Sequence, residues 1–444
     1  MVVMIADDLG LDAAPCHNQH RLMPKLEARC ATSLVFTHAY AHPYCTASRA
    51  SILTGRHTFR HGANNVRQSS KKLPLSEITL PEFIRSISPA PYQFGAFGKW
   101  HLADDQNGSI DNPNLQGFDH FEGTPRQHRT CRYTDYEWFV NGLSTGKQST
   151  YKTTKIVDAA LAYMAGNRAD KPRVLFLNFV NPHRPYHLPP KHLHKVPNLI
   201  DPGLKPTRSD NPKANEFRVN EREARFDPAY HAMLGALDTE IDRFTSTVTN
   251  LTSRPLIFIF LGDNGSAAEV YLAENNTGYR AKASIYDGGV RVPLQIWSSN
   301  HQVLPVNQIR TNRLVHLTDL FATIAELSGA KITDAEVTGA PPVGAPLDDA
   351  PAQIDAISFA DSIFSNAQTI SENHKTKSFA HRQYLYLERG NARQPFALES
   401  FMLPVTSSSC ETSTVHLAMP VKLKWNTTKR QPTLENRKTS STIA

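Results

Sequence analysis

Three near-continuous apolar runs punctuate the chain, at residues 2–6, 174–180 (VLFLNFV) and 255–261 (PLIFIFL), and 291–297 reads similarly. Runs this short and apolar on both faces predict strands buried in a parallel sheet. Between them the period becomes helical. Residues 153–165 place Ile156, Ala160, Tyr163 and Met164 on one face before Gly166. Tyr230, Met233, Leu234, Leu237, Ile241 and Phe244 keep the same spacing, with Asp227 placed to cap them. Leu317, Leu320, Phe321, Ile324 and Leu327 make another helix, stopped by Gly329. Shorter helical stretches at 24–32 and 80–87 and a strand at 92–97 complete an alternation that implies an α/β fold.

The alternation ends near residue 330. Residues 331–352 are rich in Pro, Gly, Ala and Asp and read as a linker; 383–387, 395–403 and 415–425 then read as antiparallel strands. The expected organisation is a main domain over 1–335, a smaller C-terminal subdomain over 336–425 and a polar basic tail over 426–444. Residues 188–227 show no period, and a loop that long inside a domain is functional or mobile. At 444 residues the chain is long for a single core, which agrees with that division.

Charge excludes less than it first suggests. The formal net charge is +7, but residues 420–444 hold six basic side chains against the single acid Glu435. The excess therefore sits in a solvated tail, which argues against a nucleic-acid partner. No apolar run is long enough to span a membrane. The run after Met1 is too short for a signal peptide, so the first core strand starts at residue 2 and leaves room for a leader upstream. The five cysteines (Cys16, Cys30, Cys45, Cys131, Cys410) are too scattered for a zinc ribbon; setting Cys45 aside leaves four, which permit two bridges without requiring them.

The chemistry centres on residues 42–62, HPYCTASRASILTGRHTFRHG. Pro43 and Tyr44 end an extended segment, and the small-residue run that follows suits a buried helix. Cys45 then falls at the helix N-terminus, where free N–H groups favour anions, and Arg49 one turn later adds a fixed positive charge. Asp7-Asp8 closes the first strand, and the C-terminal edge of a parallel sheet is where ligands gather. Taken singly, other candidates have duller readings: Lys99 and His101 as exposed loop residues, Asp263-Asn264 as an ordinary turn. His183, His187, His192 and His194 suggest zinc, but the interleaved prolines prevent a helix that would aim them together.

Read together, these motifs resemble the type I sulfatases of the alkaline-phosphatase-like superfamily. The string from Cys45 to Gly55 matches their signature Cys-x-Pro-Ser-Arg-x-Ser-x-x-Thr-Gly except that Ala47 replaces the proline. Asp7-Asp8, Gly-Lys99-Trp-His101, Gly117-Phe-Asp-His-Phe, Pro182-His183-Arg-Pro185, Asp263-Asn264-Gly and Lys282-x-x-x-Tyr286-Asp-Gly-Gly-Val-Arg291 follow in family order over the first 330 residues. The C-terminal hundred residues match only weakly.

The resemblance implies an α/β/α sandwich with a large mixed sheet and a small C-terminal antiparallel subdomain. It implies hydrolysis of sulfate monoesters, aryl or carbohydrate, by way of a formylglycine made from Cys45, whose hydrate yields a sulfated enzyme and then expels sulfate. Arg49 would position the diol, Lys99 and Lys282 neutralise sulfate oxygens, His183 protonate the leaving alcohol and His101 serve the second step. Oxygen ligands from Asp7, Asp8, Asp263 and Asn264, with residue 45, suit Ca²⁺, with Mg²⁺ second. Arg126, His128 and the basic residues of 188–227 would line the entrance for a sulfated small molecule or glycan. The other implied partner is a formylglycine-generating maturation enzyme, and the family suggests an exported, periplasmic, extracellular or lysosomal location. Two alternatives stand beside this reading: a phosphonate monoester or phosphodiester hydrolase of the same superfamily, and a non-catalytic binder of sulfated glycans should Cys45 stay unconverted.

Overall fold

The computed structural model describes residues 1–18, 20–64, 72–126, 132–166, 171–196, 219–272, 280–300, 309–330, 354–364, 382 and 384–390, with three further strand segments at 398–404, 424–426 and 431–433. Ten strands form one sheet: β1 (Val2–Asp7), β2 (Leu34–Tyr40), β3 (Gln93–Ala103), β4 (His120–Arg126), β5 (Tyr136–Val140), β6 (Leu143–Gln148), β7 (Arg173–Pro182), β8 (Ile257–Gly262), β9 (Leu294–Ser298) and β10 (Ile309–His316). Their order is β10-β2-β9-β8-β1-β7-β3-β4-β5-β6. The central pairs β8–β1, β1–β7, β7–β3 and β3–β4 are parallel, whereas β9, β5 and β6 run antiparallel to their neighbours. The sheet is therefore mixed, as expected.

Among the described residues up to 330 the α-helices are α1 (Pro24–Arg29), α2 (Cys45–Thr54), α3 (Thr58–His61), α4 (Leu80–Ile87), α5 (Asn112–Leu115), α6 (Lys152–Gly166), α7 (Val219–Val248), α8 (Asp287–Val290) and α9 (Asp319–Leu327). Strand alternation sorts them into two layers. Val3 and Ile5 of β1 face a core shared with α2, α4 and α9, through Ile52, Phe83, Ile84, Leu320 and Phe321. Val2, Met4 and Ala6 face the opposite core with Ile156 and Ala160 of α6 and Met233, Leu237 and Phe244 of α7. Helices on both faces of a mainly parallel sheet make the α/β/α sandwich.

Two local expectations fail. β3 does not stop at Phe97 but continues to Ala103, so Lys99 and His101 are strand residues, not exposed loop residues. Its pairing with β7 runs to Gly98 and with β4 to Lys99, and after a break in register β3 pairs with β4 again at Ala103. Asp227 is not a helix cap either: α7 begins at Val219 and runs through Pro228. Strands β2, β4, β5, β6 and β10 had no clear apolar signature.

Beyond residue 330, the linker 331–352 lies outside the described residues. Phe359 and Ile363 pack in the same core as α4 and α9. Strands β11 (Tyr384–Gly390) and β12 (Leu398–Pro404) pair antiparallel, in agreement with two of the three strands expected there.

Candidate active site

Register places the chemistry. In the parallel quartet β8-β1-β7-β3, Ala6 lies opposite Gly262 and Asp7 opposite Pro182, while Gly98 lies opposite Asn178. Asp7-Asp8, Pro182-His183, Asp263-Asn264 and Lys99 to His101 therefore emerge at one C-terminal edge of the sheet. The backbone there is unusual: Asp8, His101 and Ala283 adopt φ of 65°, 68° and 70°. L-residues in that left-handed region cost on the order of 1 kcal/mol or more each, and such strain concentrates at functional sites. Gly98 permits the close approach of β3 to β7, since a Cβ there would stand 2.3 Å from the Asn178 carbonyl oxygen.

Helix α2 opens at this edge. Cys45 is its first residue, and the first helical hydrogen bond runs from the Ser48 N–H to the Tyr44 carbonyl at 3.1 Å. The Cys45 thiol is buried, 3.2 Å from His101 Nδ1 and 3.7 Å from Lys99 Nζ. Burial pushes its pKa up to about 11, outweighing the pull of Lys99 and Lys282. An unmodified cysteine here is a neutral thiol, not a thiolate nucleophile.

Three carboxylates and three cations surround it. Lys99, with no exposed surface, pairs with Asp7, and Lys282 pairs with Asp8. Arg49 Nε and Nη2 each lie 2.9 Å from Asp263 Oδ2, and its Nη1 donates to Asn178 Oδ1 at 3.1 Å and the Lys99 carbonyl at 3.2 Å. Asn264 Nδ2 donates to Asp8 Oδ1 at 2.8 Å, and the Asp8 N–H to Asp263 Oδ1 at 3.2 Å. His183 Nε2 stands 3.7 Å from Asp8 Oδ2 and keeps some exposure, at the mouth of the site.

Burial by itself would raise the Asp7 carboxyl, but the charges of Lys99, His183, Arg49 and Lys282 hold it well below the usual range. Asp263 goes the other way: burial and the negative charge of Asp7 raise it despite Arg49. The Asp263 carboxyl is thus the member of the nest least favoured as an anion. Burial, then Lys99 and Lys72, hold the His101 imidazole well below its ordinary value, so it is neutral.

The residues fit a hard divalent cation. Asp7 Oδ1 and Asn264 Oδ1 are buried and accept no hydrogen bond, and ligand atoms of Asp7, Cys45 and Asp263 lie within 4.8 Å of one another. An oxygen-rich donor set of this kind suits Ca²⁺ or Mg²⁺, and two added charges would supply what Asp263 lacks. Held cation and all, the pocket would be net positive, as an anionic ester requires.

Other expected residues fall elsewhere. Arg126 ends β4, bonded to Asp105 and Ser109. His128 and residues 197–218 lie outside the described residues. His187 and His194 turn to the Pro185 and Pro189 carbonyls at 2.9 and 3.2 Å, and no zinc cluster with His183 and His192 forms among the described residues. Cys16 and Cys30 form a disulfide, one of the pairings left open, whereas Cys131 and Cys410 lie outside the described residues.

Sequence reasoning missed the bracing around the carboxylates. Asp12 Oδ1 accepts from Ser266 Oγ at 2.8 Å, and Ser266 Oγ in turn accepts from the Gly10 N–H at 3.0 Å, tying the Asp7-Asp8 turn to the loop after β8. Asn178 was missed because it reads as an interruption in an apolar strand.

Fold and site together define an α/β/α sandwich with a buried cluster of cations and carboxylates at the edge of its parallel strands. Residues 1–330 match the sulfatase family, and the chain belongs to it. Among relatives, it is 27% identical over 372 residues to arylsulfatase G of Rattus norvegicus, covering 75% of this chain and 65% of that protein. It is 24% identical over 349 residues to N-acetylgalactosamine-6-sulfatase of Mus musculus, covering 74% and 62%. The chain thus spans less than two thirds of the length of these relatives. A structure in complex with its substrate D-glucosamine-2-N,6-O-disulfate superposes with a TM-score of 0.65 at 16% identity, covering 91% of this chain and 86% of that one. Another, Ps i-CgsB in complex with a neocarrahexaose, gives 0.62 at 21%, covering 88% and 79%. These likenesses show the fold.

Proposed function

We propose that the protein hydrolyses sulfate monoesters, with carbohydrate sulfates as the substrate class and residue 45 acting as formylglycine. The observation that carries this reading is the buried Cys45 side chain at the start of α2, flanked by His101 at 3.2 Å and Lys99 at 3.7 Å beside the carboxylate nest. Sugar sulfates are favoured because an N-acetylgalactosamine-6-sulfatase is among the relatives and sugar ligands occupy the structural neighbours.

Asp7, Asp8, Asp263, Asn264 and residue 45 would hold Ca²⁺, which would supply Lewis acidity toward a sulfate oxygen, and a formylglycine at position 45 would supply the hydroxyl nucleophile and a second hydroxyl for release. The chain's own residues do the rest. Lys99 and Lys282 place positive charge where the transferring oxygens gather charge. Neutral His101, its Nδ1 against position 45, accepts a proton from that side chain. His183, at the mouth, donates a proton to the departing alkoxide oxygen. Arg49 fixes Asp263 and the strand ends, and Arg126 and His128 lie on the segment assigned to the entrance.

A maturation enzyme must act on residue 45, and Ala47 is the departure that tests its selectivity. The Cys16–Cys30 disulfide favours an oxidising compartment and thus an exported or lysosomal protein; no described helix is long and apolar enough to cross a membrane. The test is sulfate release by the full chain, co-expressed with a maturation enzyme, from aryl and sugar sulfates in calcium, beside an aryl phosphodiester and a phosphonate monoester. Sulfate release with little phosphoester cleavage supports the reading, and the reverse preference overturns it.

A further inference from the structure

A second group of buried side chains lies at the same sheet edge, beyond the carboxylates. His42 precedes α2, His57 follows it as the N-cap of α3, and His316 ends β10, where it pairs with Tyr40 of β2. The three rings meet edge to face, with centroids 4.7 Å (His42–His316), 4.8 Å (His57–His316) and 5.6 Å (His42–His57) apart. One ligand nitrogen from each lies within 4.8 Å of the others. All are buried, and His42 Nδ1 and Nε2, His57 Nδ1 and His316 Nε2 have no hydrogen-bond partner.

Buried imidazole nitrogens without partners are costly, because each gave up its bonds to water and gained none in the fold. Packing alone would favour Phe or Leu at these positions. We propose that His42, His57 and His316 form a second metal site, for a borderline dication such as Zn²⁺.

Neutral imidazole is the donor that Zn²⁺ takes, and three of them with an open fourth position make a recognised tetrahedral set. Tetrahedral geometry needs nitrogens about 3.3 Å apart, given Zn–N near 2.0 Å, so the three rings, whose nitrogens lie within 4.8 Å of one another, would have to draw together on the ion. His316 Nδ1 accepts from the Thr318 N–H at 3.2 Å and lies 2.6 Å from Thr318 Oγ1, so binding a metal through Nε2 would move the ring proton to Nδ1, with Thr318 Oγ1 as its acceptor. The backbone N–H groups of His57 and His316 are fixed by Asp355 Oδ2 at 2.9 Å and Asp319 Oδ2 at 3.0 Å. Neighbouring cations are already matched, Arg60 by Asp355 and Arg382 by Asp319. His61 is not a ligand, since Ser51 Oγ and the Ala63 N–H occupy its nitrogens at 3.1 Å each. The ion would tie both ends of α2, whose first residue is Cys45, to β10.

The test uses the full chain saturated with Ca²⁺, so that the carboxylate nest is filled, then dialysed against Zn²⁺ and zinc-free buffer. One retained zinc per chain, with an X-ray absorption spectrum showing imidazole outer shells, is the expected result. His42→Phe and His316→Phe should each lose that zinc while keeping the calcium-dependent melting shift. The wild-type spectrum decides the matter even where a variant fails to fold. Absence of retained zinc, an oxygen-dominated spectrum, or retention in both variants would overturn the site and leave a packed imidazole cluster. None of these readouts depends on sulfatase activity.

Discussion

The carboxylate nest and the histidine cluster flank the same helix, and they deal with burial in opposite ways. Around Asp7, Asp8 and Asp263, the carboxyl groups stay buried beside the cations Lys99, Lys282 and Arg49. Around His42, His57 and His316, burial keeps the rings neutral and four of their nitrogens go unpaired. The nest is held in strained backbone at Asp8, His101 and Ala283, whereas none of the three histidines has a positive φ. A buried polar site can thus be kept in place by charge balance or await a ligand.

Removing one member should expose that difference most sharply. Lys99→Met leaves Asp7 buried without its partner and is expected to destabilise the chain by about 3–5 kcal/mol and to reduce turnover by roughly a hundredfold or more. His42→Phe in chelator removes two unsatisfied nitrogens and should shift stability by less than about 2 kcal/mol, ring size being the main penalty. Urea unfolding of both variants checks this; equal losses would erase the distinction.

Next in size is the effect at His183, the proposed proton donor. His183→Ala should slow hydrolysis of alkyl and sugar sulfates by roughly a hundredfold, and much less for an aryl sulfate whose leaving group needs no proton. Steady-state rates across leaving groups measure it, and a uniform loss would remove His183 from that role.

Acid should separate the two clusters again. Burial lowers His42 and His61 from 6.5 to about 3. Their unfolded forms therefore bind protons that the fold refuses, so stability is unaffected above pH 6.5 and falls between pH 6.5 and 3. Each contributes about 1.4 kcal/mol per pH unit in that window. Asp7, held low, stays ionised in the fold and adds a slope of the same sign only as pH falls below about 4, where the unfolded carboxyl takes up its proton. Urea midpoints in chelator across this range should lose one proton's worth of slope in His42→Phe.

Much of this was legible in the sequence, for physical reasons. The central strands β1, β7 and β8 are buried on both faces, so their apolar runs stand out, and the polar residues that end them mark the sheet edge. The outer strands carry mixed faces and gave no such signal: β6 is mostly exposed, and β2 and β10 hold His38, Arg310 and Arg313. Lys99 and His101 look like loop residues because polarity in a strand is read as exposure, while their burial depends on Asp7 and Cys45 arriving from elsewhere. The histidine cluster was invisible, as residues 42, 57 and 316 meet only through the β2–β10 pairing.

The smallest expected effect concerns position 47. Ala47 precedes the first helical hydrogen-bond donor of α2, where proline is tolerated. Ala47→Pro should therefore leave the melting temperature nearly unchanged while raising the fraction of residue 45 converted by an oxygen-dependent maturation enzyme. Thermal melts and peptide masses report the two halves of that expectation.

The central claim is that the buried residue 45 acts as formylglycine and not as a thiol. Mass spectrometry of the tryptic peptide 30–49, run beside turnover on the same preparations, addresses it directly. Activity should scale with the formylglycine fraction and vanish in preparations that contain cysteine alone. Full turnover from a preparation holding only cysteine at position 45 would contradict the account.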